Sequence, residues 1–581
     1  MIFAFRMRDN TLILGRSFFE MKKRTWMRKT TAPLTAVLAM SFVAAACGTA
    51  PADNASTEEE TPAAGAETPA EPAAQEPEKR GSITSSLYDR GTVPAEEGTM
   101  DNNRWTKWVN ENGPVDVKYV TVPRFESLQK FNVMFASGTA PDLILEFDAA
   151  YQGQLYTQKQ LMPLDDLIAE HSTEYKAMLE KYPAIKKAAT MDDGKMYMLG
   201  RPLEFGPQHY LFIRADWLKK LNLEAPKTPE ELLEVAKAFA TQDPDGNGQA
   251  DTEGIGLSFV AGIILNHMFG SGFTLFGTDQ NPWMLDESGK VVHDWDRMKA
   301  ALAFQKQIYE SGVADKDFVT DKNGEKQKQQ WIAGKLGIYG GNGSDVKIYE
   351  ALKANVPEAE IVPIALPVTE FGQFSPILSA PVQLTGMINA AAKDPAAVMK
   401  HVDFMASETY RDTIANGLEG VHHTKAENGC PQAIDAEKNK KELGYAGDMN
   451  MLAPLVGDCF GLENKVNPTE AEKGMIAIRA MAREAYMDPA KPMVGLTHSS
   501  FMPILPQDLL QIKTNANKTI VDLAVKAIVS GGSYTVDQFV DEAKSVWEKA
   551  GGAKVDAFYS DWYEKSKDSA LLMKDLYEMA P

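Results

Sequence analysis

Residues 227–260 read KTPEELLEVAKAFATQDPDGNGQADTEGIGLSFV, and three kinds of local structure follow one another in them. Thr228-Pro229-Glu230-Glu231 is a helix start. It offers a hydroxyl cap, a proline whose missing N–H is harmless in the first turn, and acids facing the positive end of the helix dipole. Leu232, Val235, Ala236 and Phe239 then recur at helical spacing on one face, so a helix is expected over 227–242. The next nine residues, DPDGNGQAD, are turn formers with oxygen-bearing side chains at alternate positions. GIGLSFV (254–260) reads as a buried strand. Helix, acidic turn and strand in direct succession are the unit of a layered α/β fold.

The same alternation runs through the chain. SLQKFNVMFASG (127–138) places Leu128, Phe131, Val133, Met134 and Phe135 on a helical face. PDLILEF (141–147), LGIYGG (336–341) and IVPIAL (361–366) are strand patterns, and DPAAVMKHVDFMAS (394–407) and TVDQFVDEAKSVWEKAGG (535–552) are helical, the second closed by Gly-Gly. No internal repeat is present. At 581 residues the chain exceeds what one core holds, so two or more domains are expected.

The formal charge is −20, and residues 1–46 carry eight Lys/Arg against two Asp/Glu, which leaves −26 on the remainder. Such a surface repels nucleic acid and anionic lipid, and no basic stripe offsets it. The N-terminus has the order of a targeting segment. Lys22-Lys23-Arg24 and Arg28-Lys29 are followed by the small, apolar run TAPLTAVLAMSFVAAAC, which is short for a membrane span. Residues 1–46 thus read as a signal peptide, with Met21 a natural start. The run ends on Cys47-Gly48 and resembles a bacterial lipobox, in which cleavage leaves a lipid-modified Cys47 at the outer face of the cell membrane. Ala44 stands where leucine is usual. Residues 47–81 form an acidic Ala/Pro/Glu tether too poor in apolar residues to fold. Of the two remaining cysteines, Cys430 and Cys459, the sequence leaves open a disulfide or two buried thiols.

From Ser82 onward the order of motifs resembles the bacterial extracellular solute-binding proteins of family 1, in their large lipoprotein branch with LplA-type and alginate-oligosaccharide-binding proteins. The pieces are DNNRWTKWVNENGPVDVKYV (101–120), FASGTAPDLI (135–144), LMPLDDLI (161–168), DDGKMYMLG (192–200), IRADWLKKLNLEAPKTPEEL (213–232), DPDGNGQADTEGIGL (243–257), IYESGVADKDF (308–318), AGKLGIYGG (333–341), NGLEGVHH (416–423) and VSGGSYTVDQFVDEAKSVWEKAGG (529–552). The resemblance implies a two-lobe periplasmic-binding-protein-like fold of type II with the ligand in the interlobe cleft. Lobe 1 is expected over 82–203 and 360–408, and lobe 2 over 206–356 and 411–575, with hinges near 202–207, 356–362 and 408–412. It also implies an ABC importer's capture subunit, acting as a monomer beside a permease and a separate ATPase. Most of the shared pieces also read as scaffold, Trp217 and Leu218 as core.

In the acidic turn, Asp243, Asp245, Asn247, the Gln249 carbonyl and Asp251 occupy the first, third, fifth, seventh and ninth positions of an EF-hand-like loop, with Gly248 at the sharp turn. Gly254 stands where the closing glutamate belongs, and Glu253, one residue earlier, is expected to supply the closing ligand, with water as the alternative. A sensor needs two helices whose angle changes, and only one flanks this loop. A fixed structural Ca²⁺ site is expected, against the alternative of an ion-free turn.

For the ligand, the resemblance points to Glu419 and His422 in NGLEGVHH and to Trp283 after the Phe276-Gly277 turn. Gln208 and Tyr210 follow the first crossing, and Arg104 and Trp105 open the first strand-to-helix turn. Aromatic faces and planar polar groups suit sugars, so an oligosaccharide is expected, a peptide next. His422-His423 lacks a spaced third metal ligand. No HExxH, GxSxG or P-loop occurs, and no catalytic residue is assigned. The rivals from other classes are a glycoside hydrolase with two distant carboxylates and a surface adhesion lipoprotein.

Overall fold

The computed structural model describes residues 80–276, 281–343, 345–567 and 570–578. The expected signal segment, Cys47 and residues 47–79 of the tether lie outside the described residues. Within those described, no helix is long and apolar enough to cross a membrane.

Nine strands build two sheets: β1 (Ser82–Asp89), β2 (Asp116–Pro123), β3 (Leu143–Leu145), β4 (Met198–Pro202), β5 (His209–Arg214), β6 (Glu253–Ile255), β7 (Leu336–Asn342), β8 (Ile361–Pro363) and β9 (Val382–Ile388). The first sheet has the order β2-β1-β3-β9-β4, the second β8-β5-β7-β6. In the first, β1 is parallel to β2 and β3, while β9 runs against β3 and β4. In the second, β5 runs against β8 and β7, and β6 is parallel to β7. Each sheet has its own core. Leu87, Val122, Phe131, Leu143 and Ile185 are buried around the first, and Leu211, Ile213, Trp217, Phe239 and Ile338 around the second.

The opening stretch folds much as its pattern dictates. The helix runs Pro229–Thr241, the Thr228 hydroxyl accepts from the Glu231 N–H at 3.3 Å, and Leu232, Val235, Ala236 and Phe239 face the core. The strand after the acidic loop is shorter than expected. The Ser258 N–H leaves the ladder to donate to the Gln327 side chain at 3.0 Å, and a new helix, Phe259–Met268, begins there.

Three crossings join the lobes. Residues 203–208 lead from β4 to β5, 364–381 lead from β8 to β9, and 453–469 return to the second lobe. They pair with one another: the Leu203 N–H donates to Pro381 O at 2.8 Å, Gln208 N–H to Ile377 O at 2.9 Å and Leu455 N–H to Pro202 O at 2.9 Å. The second and third crossings differ from the expected hinges at 356–362 and 408–412. Residue 360 was expected to open the return to lobe 1, but Ile361–Pro363 pair with β5, because the apolar run completes the second sheet. Residues 411–452 were expected in lobe 2, yet Tyr410, Ile414, Tyr445, Met449 and Leu452 are buried in the first core. The Tyr410 hydroxyl donates to Met449 O at 2.9 Å. Cys430 and Cys459 form a disulfide (Sγ–Sγ 2.06 Å), which ties the hairpin 423–433 to the third crossing.

Candidate functional site

Strand direction decides where a site can form. β4 runs parallel to β1 and β3 and its carboxyl end leads into the first crossing, so the carboxyl ends of all three lie at that edge. β5 leaves the crossing, and β7, β6 and β8 return toward it, so their carboxyl ends also lie at the crossing edge. Both sheets therefore turn their carboxyl edges toward the hinge, the place where open α/β sheets hold ligands.

On the first lobe this edge carries a ladder of aromatic rings and guanidiniums. Tyr88 is the next-to-last residue of β1, Arg124 and Phe125 follow β2, Phe147 follows β3, and Arg201 lies in β4. The Tyr88 and Phe147 rings stack at 5.8 Å. The Arg124 guanidinium lies 4.7 Å from the Tyr88 centroid and 5.5 Å from that of Phe147, and the Arg201 guanidinium lies 5.9 Å from the Phe147 centroid. Arg201 donates to Gln383 Oε1 at 2.8 Å and to the Asn450 carbonyl at 3.1 Å. Burial brings its pKa down to about 10. Among the described residues no carboxylate lies within ion-pair distance of Arg124 or Arg201, whereas Arg90 pairs with Asp448 at 2.5 Å. Burial first, and the nearby Glu146 second, push the Tyr88 phenol far above its ordinary range. Phe125 stands 91% exposed. Flat apolar faces beside planar donors can hold a polyhydroxylated molecule by stacking and forked hydrogen bonds.

The second lobe's edge is made differently. His209 faces Asn342 across the β5–β7 register, and the Gly343 N–H donates to Gln208 O at 2.9 Å. A side chain at Gly343 would enter the Tyr210 ring, since its Cβ would lie 2.0 Å from Cζ, so the backbone itself forms this wall. Burial lowers the pKa of His209 to about 4 and that of His267 to about 3, so both imidazoles are neutral. The lobes also meet beside the edge. A Cβ on Gly153, in the first lobe's helix Ala149–Thr157, would lie 1.7 Å from Ile504 Cδ1.

Of the residues expected to contact ligand, three converge on Glu442. Arg104 pairs with it and with Glu97, the Trp105 indole N–H donates to its carbonyl at 2.6 Å, and His422 Nε2 lies 2.9 Å from its carboxylate. The Leu418 N–H donates to His422 Nδ1 at 3.0 Å, so Nε2 carries the proton that Glu442 accepts. Trp105 and His422 are buried. Glu419 is exposed, 3.9 Å from Lys425, and Gln208 is exposed at the end of the first crossing. Tyr210 is buried against Phe212 and Tyr486. Trp283 departs most from expectation. It is 1% exposed, packs on Tyr559 at 4.3 Å, and donates its N–H to Asp556 at 2.8 Å. Its short strand pairs with residues 291–293 and turns the indole into the core, away from any open surface. The only sequence signal of the ladder residues Arg124, Phe125, Phe147 and Arg201 is their place in the last residues of a strand or just after it.

The acidic loop holds a cation of its own. Lys335 Nζ lies 2.7 Å from Asp245 Oδ2 and 2.9 Å and 3.0 Å from the two Asp251 oxygens. The Asn247 amide donates to the same two carboxylates, at 2.9 Å and 3.1 Å. Burial is the largest influence on Asp245 and opposes its ionisation, but the hydrogen bond and charge of Lys335 together with the hydrogen bonds from the Asn247 N–H and Asp243 hold the carboxyl below its usual range. Asp251 is lowered chiefly by Lys335. Asp243 accepts from the Gly248 N–H at 3.1 Å, and its other oxygen is buried without a partner. The Gln249 N–H donates to Asn247 at 2.7 Å. Glu253 does not close the loop. It is half-buried, and its pKa is raised by burial and by Asp315. Among the described residues no cluster of three or more His, Cys, Asp or Glu is set to hold a metal.

A cavity of about 740 Å³ lies beside the crossings, lined by Tyr182, Glu204, Val382, Phe460 and Arg483. Val382 and Gln383 point to opposite faces of β9, so this cavity and the Arg201–Gln383 pair are on different sides.

Comparison with known proteins agrees with this architecture. A sequence model described as bacterial extracellular solute-binding protein matches residues 98–412, more than half of the chain. The polygalacturonan/rhamnogalacturonan-binding protein YtcQ of Bacillus subtilis (strain 168) is 26% identical over 468 residues, 78% of this chain and 86% of that protein. An HMO-binding, ABC-transporter-associated solute-binding protein from Bifidobacterium longum infantis superposes with a TM-score of 0.65 at 20% identity, over 84% of this chain and 99% of that one. The alginate-binding protein AlgQ2, solved without calcium ion, gives 0.58 at 21% identity, over 84% and 99%. These structures share the two-lobe type II architecture. From the matched sequence and the hinge-facing strand ends together, the chain belongs to the bacterial extracellular solute-binding protein family.

Proposed function

We propose that the protein captures an oligosaccharide between its lobes and hands it unchanged to an ABC-transporter permease, working as a monomer held by lipid at Cys47 on the extracellular face of the membrane. The observation that carries this reading is the ladder of Tyr88, Arg124, Phe147 and Arg201 at a carboxyl edge facing the hinge. Arg124 and Arg201 keep donors without a carboxylate partner among the described residues, and Phe125 offers an open ring. Hydroxyl groups and C–H faces of a sugar fit both. YtcQ and the HMO-binding protein bind carbohydrate by their names, which supports the ligand class. The lobes we infer are 82–202 with 382–452, and 209–363 with 470–576. Closure would turn on the three paired crossings, with ligand contacts favouring the closed form. Arg104 and His422 act here through Glu442, which fastens residues 442–450 over the first lobe's edge. Gln208 and Glu419 remain exposed enough to reach a ligand.

Calcium belongs to the same reading. Asp243, Asp245, Asn247, the Gln249 carbonyl and Asp251 are hard oxygen donors suited to Ca²⁺, and the orphaned Asp243 oxygen fits such an ion. Glu253 would not take part. The ion's contribution would be structural, pinning the loop between the Pro229–Thr241 helix and β6.

Titration of the purified protein with pectic, fructan and milk-type oligosaccharides, following tryptophan fluorescence together with product formation, tests the function. Saturable binding without turnover is expected. Turnover would replace the reading with an enzyme, and silence toward every sugar would end it.

A further inference from the structure

The acidic loop is already neutralised from within. A lysine ammonium has three N–H donors, and the three nearest oxygens of Asp245 and Asp251 lie at 2.7, 2.9 and 3.0 Å. The position is built rather than incidental. Lys335 immediately precedes β7, and its carbonyl accepts the Glu253 N–H at 2.8 Å, so sheet hydrogen bonds fix its backbone beside the loop. Lys220 Nζ donates to the Pro244 carbonyl at 2.8 Å. The closing bidentate glutamate that a divalent ion would use is replaced by Gly254, and the charged neighbours of Glu253 are Asp315 and Lys326 rather than the loop's aspartates.

We propose that Lys335 is the loop's resident cation, holding Asp245 and Asp251 together as a metal would, so that the loop keeps its shape without Ca²⁺ and any Ca²⁺ must displace the lysine to bind. The second half rests on the calcium reading above; the first does not. The loop's three aspartates still exceed Lys335 and Lys220 by one charge, which leaves room for a divalent ion to compete. An intramolecular competitor lowers apparent affinity by the fraction of time it holds the site. The protein is thereby buffered against loss of calcium, whereas a loop of acids alone would splay by self-repulsion.

The test compares the full chain with Lys335→Met, which keeps the apolar stem and removes the charge, and Lys335→Arg, which keeps the charge. Melting in EGTA and in millimolar CaCl₂ is measured together with calorimetric titration by CaCl₂. The wild type and Lys335→Arg should melt alike in both buffers. Lys335→Met should melt about 2–4 °C lower in EGTA, regain that loss in CaCl₂, and bind Ca²⁺ about tenfold more tightly than the wild type. A wild type that loses as much stability in EGTA as Lys335→Met would overturn the proposal and leave the calcium reading standing. A Lys335→Met protein that is destabilised but not rescued by Ca²⁺ would support the resident lysine and sink the calcium reading. Should Lys335→Met not fold, Asp245→Asn decides. It should destabilise the wild type equally in EGTA and CaCl₂, and a loss confined to CaCl₂ would refute the lysine.

Discussion

The acidic loop of the second lobe and the hinge-facing edge of the first both place a cation among acceptors, but they satisfy it in opposite ways. In the loop, the Lys335 ammonium has three carboxylate oxygens within 3.0 Å and little capacity left for another partner. At the edge, Arg124 rests on the faces of Tyr88 and Phe147, and Arg201 has a neutral amide and a backbone carbonyl. A guanidinium on a π face retains in-plane donors, since the ring attracts its charge without accepting its hydrogens. The contrast separates a cation that holds the fold from one positioned to meet a ligand. A charged group that is already satisfied belongs to stability, and one with donors left over belongs to binding.

Trp283 is the sharpest way to break that division, because it was expected at the cleft and is found fully partnered. Trp283→Ala should lower unfolding stability by about 3–5 kcal/mol in denaturant titration and leave the affinity of the folded fraction for sugar unchanged. A variant with near-normal stability and lost affinity would return Trp283 to the cleft and undo the distinction.

The buried histidines sharpen it from the other side, since they are partnerless and neutral. Burial brings the pKa of His267 to about 3 and that of His401 to about 4, below an unfolded value of about 6.5. The unfolded chain therefore takes up protons first as pH falls. The stability they contribute is intact above about pH 6.5 and declines toward pH 4, by about 1.4 kcal/mol per pH unit for each group. Thermal melts should fall between pH 7 and pH 4.5, and His401→Gln should flatten that slope. An unchanged slope would mean that His401 is charged in the folded protein.

The smallest effect concerns the ladder itself. Arg124→Ala should weaken sugar binding about tenfold, some 1.4 kcal/mol, with the melting temperature nearly unmoved, because no carboxylate is left behind unpaired. Calorimetry and a melt on the same sample decide it. A large loss of stability with intact affinity would move Arg124 to the structural class alongside Lys335.

How much of this was legible beforehand follows the distance over which each feature is encoded. The helix Pro229–Thr241 and its Thr228 cap, the strands at 143–145 and 336–342, and the helix Val536–Ala550 closed by Gly551 all follow from short patterns in which each residue's neighbours are its own context. The acidic loop was legible as a cation-holding turn for the same reason. Its occupant was not, because Lys335 lies far along the chain and reaches Asp245 and Asp251 only through β6–β7 pairing. The later crossings were misplaced because a short apolar run such as IVPIAL suits either sheet, and only the register with β5 chooses.

What the amino-acid order alone determined is the class of fold, the family likeness and the chemistry available at each position: period and capping act within a few residues, and motif order survives without knowledge of contacts. What only the tertiary structure decided is which chemistry is already used. Trp283 and Trp105 look as fit for a sugar as Phe125 does when written as letters, yet two are closed in by packing and one stands open. Burial and charge pairing are sums over neighbours brought together by the sheets, and a linear chain carries no record of those sums until it folds.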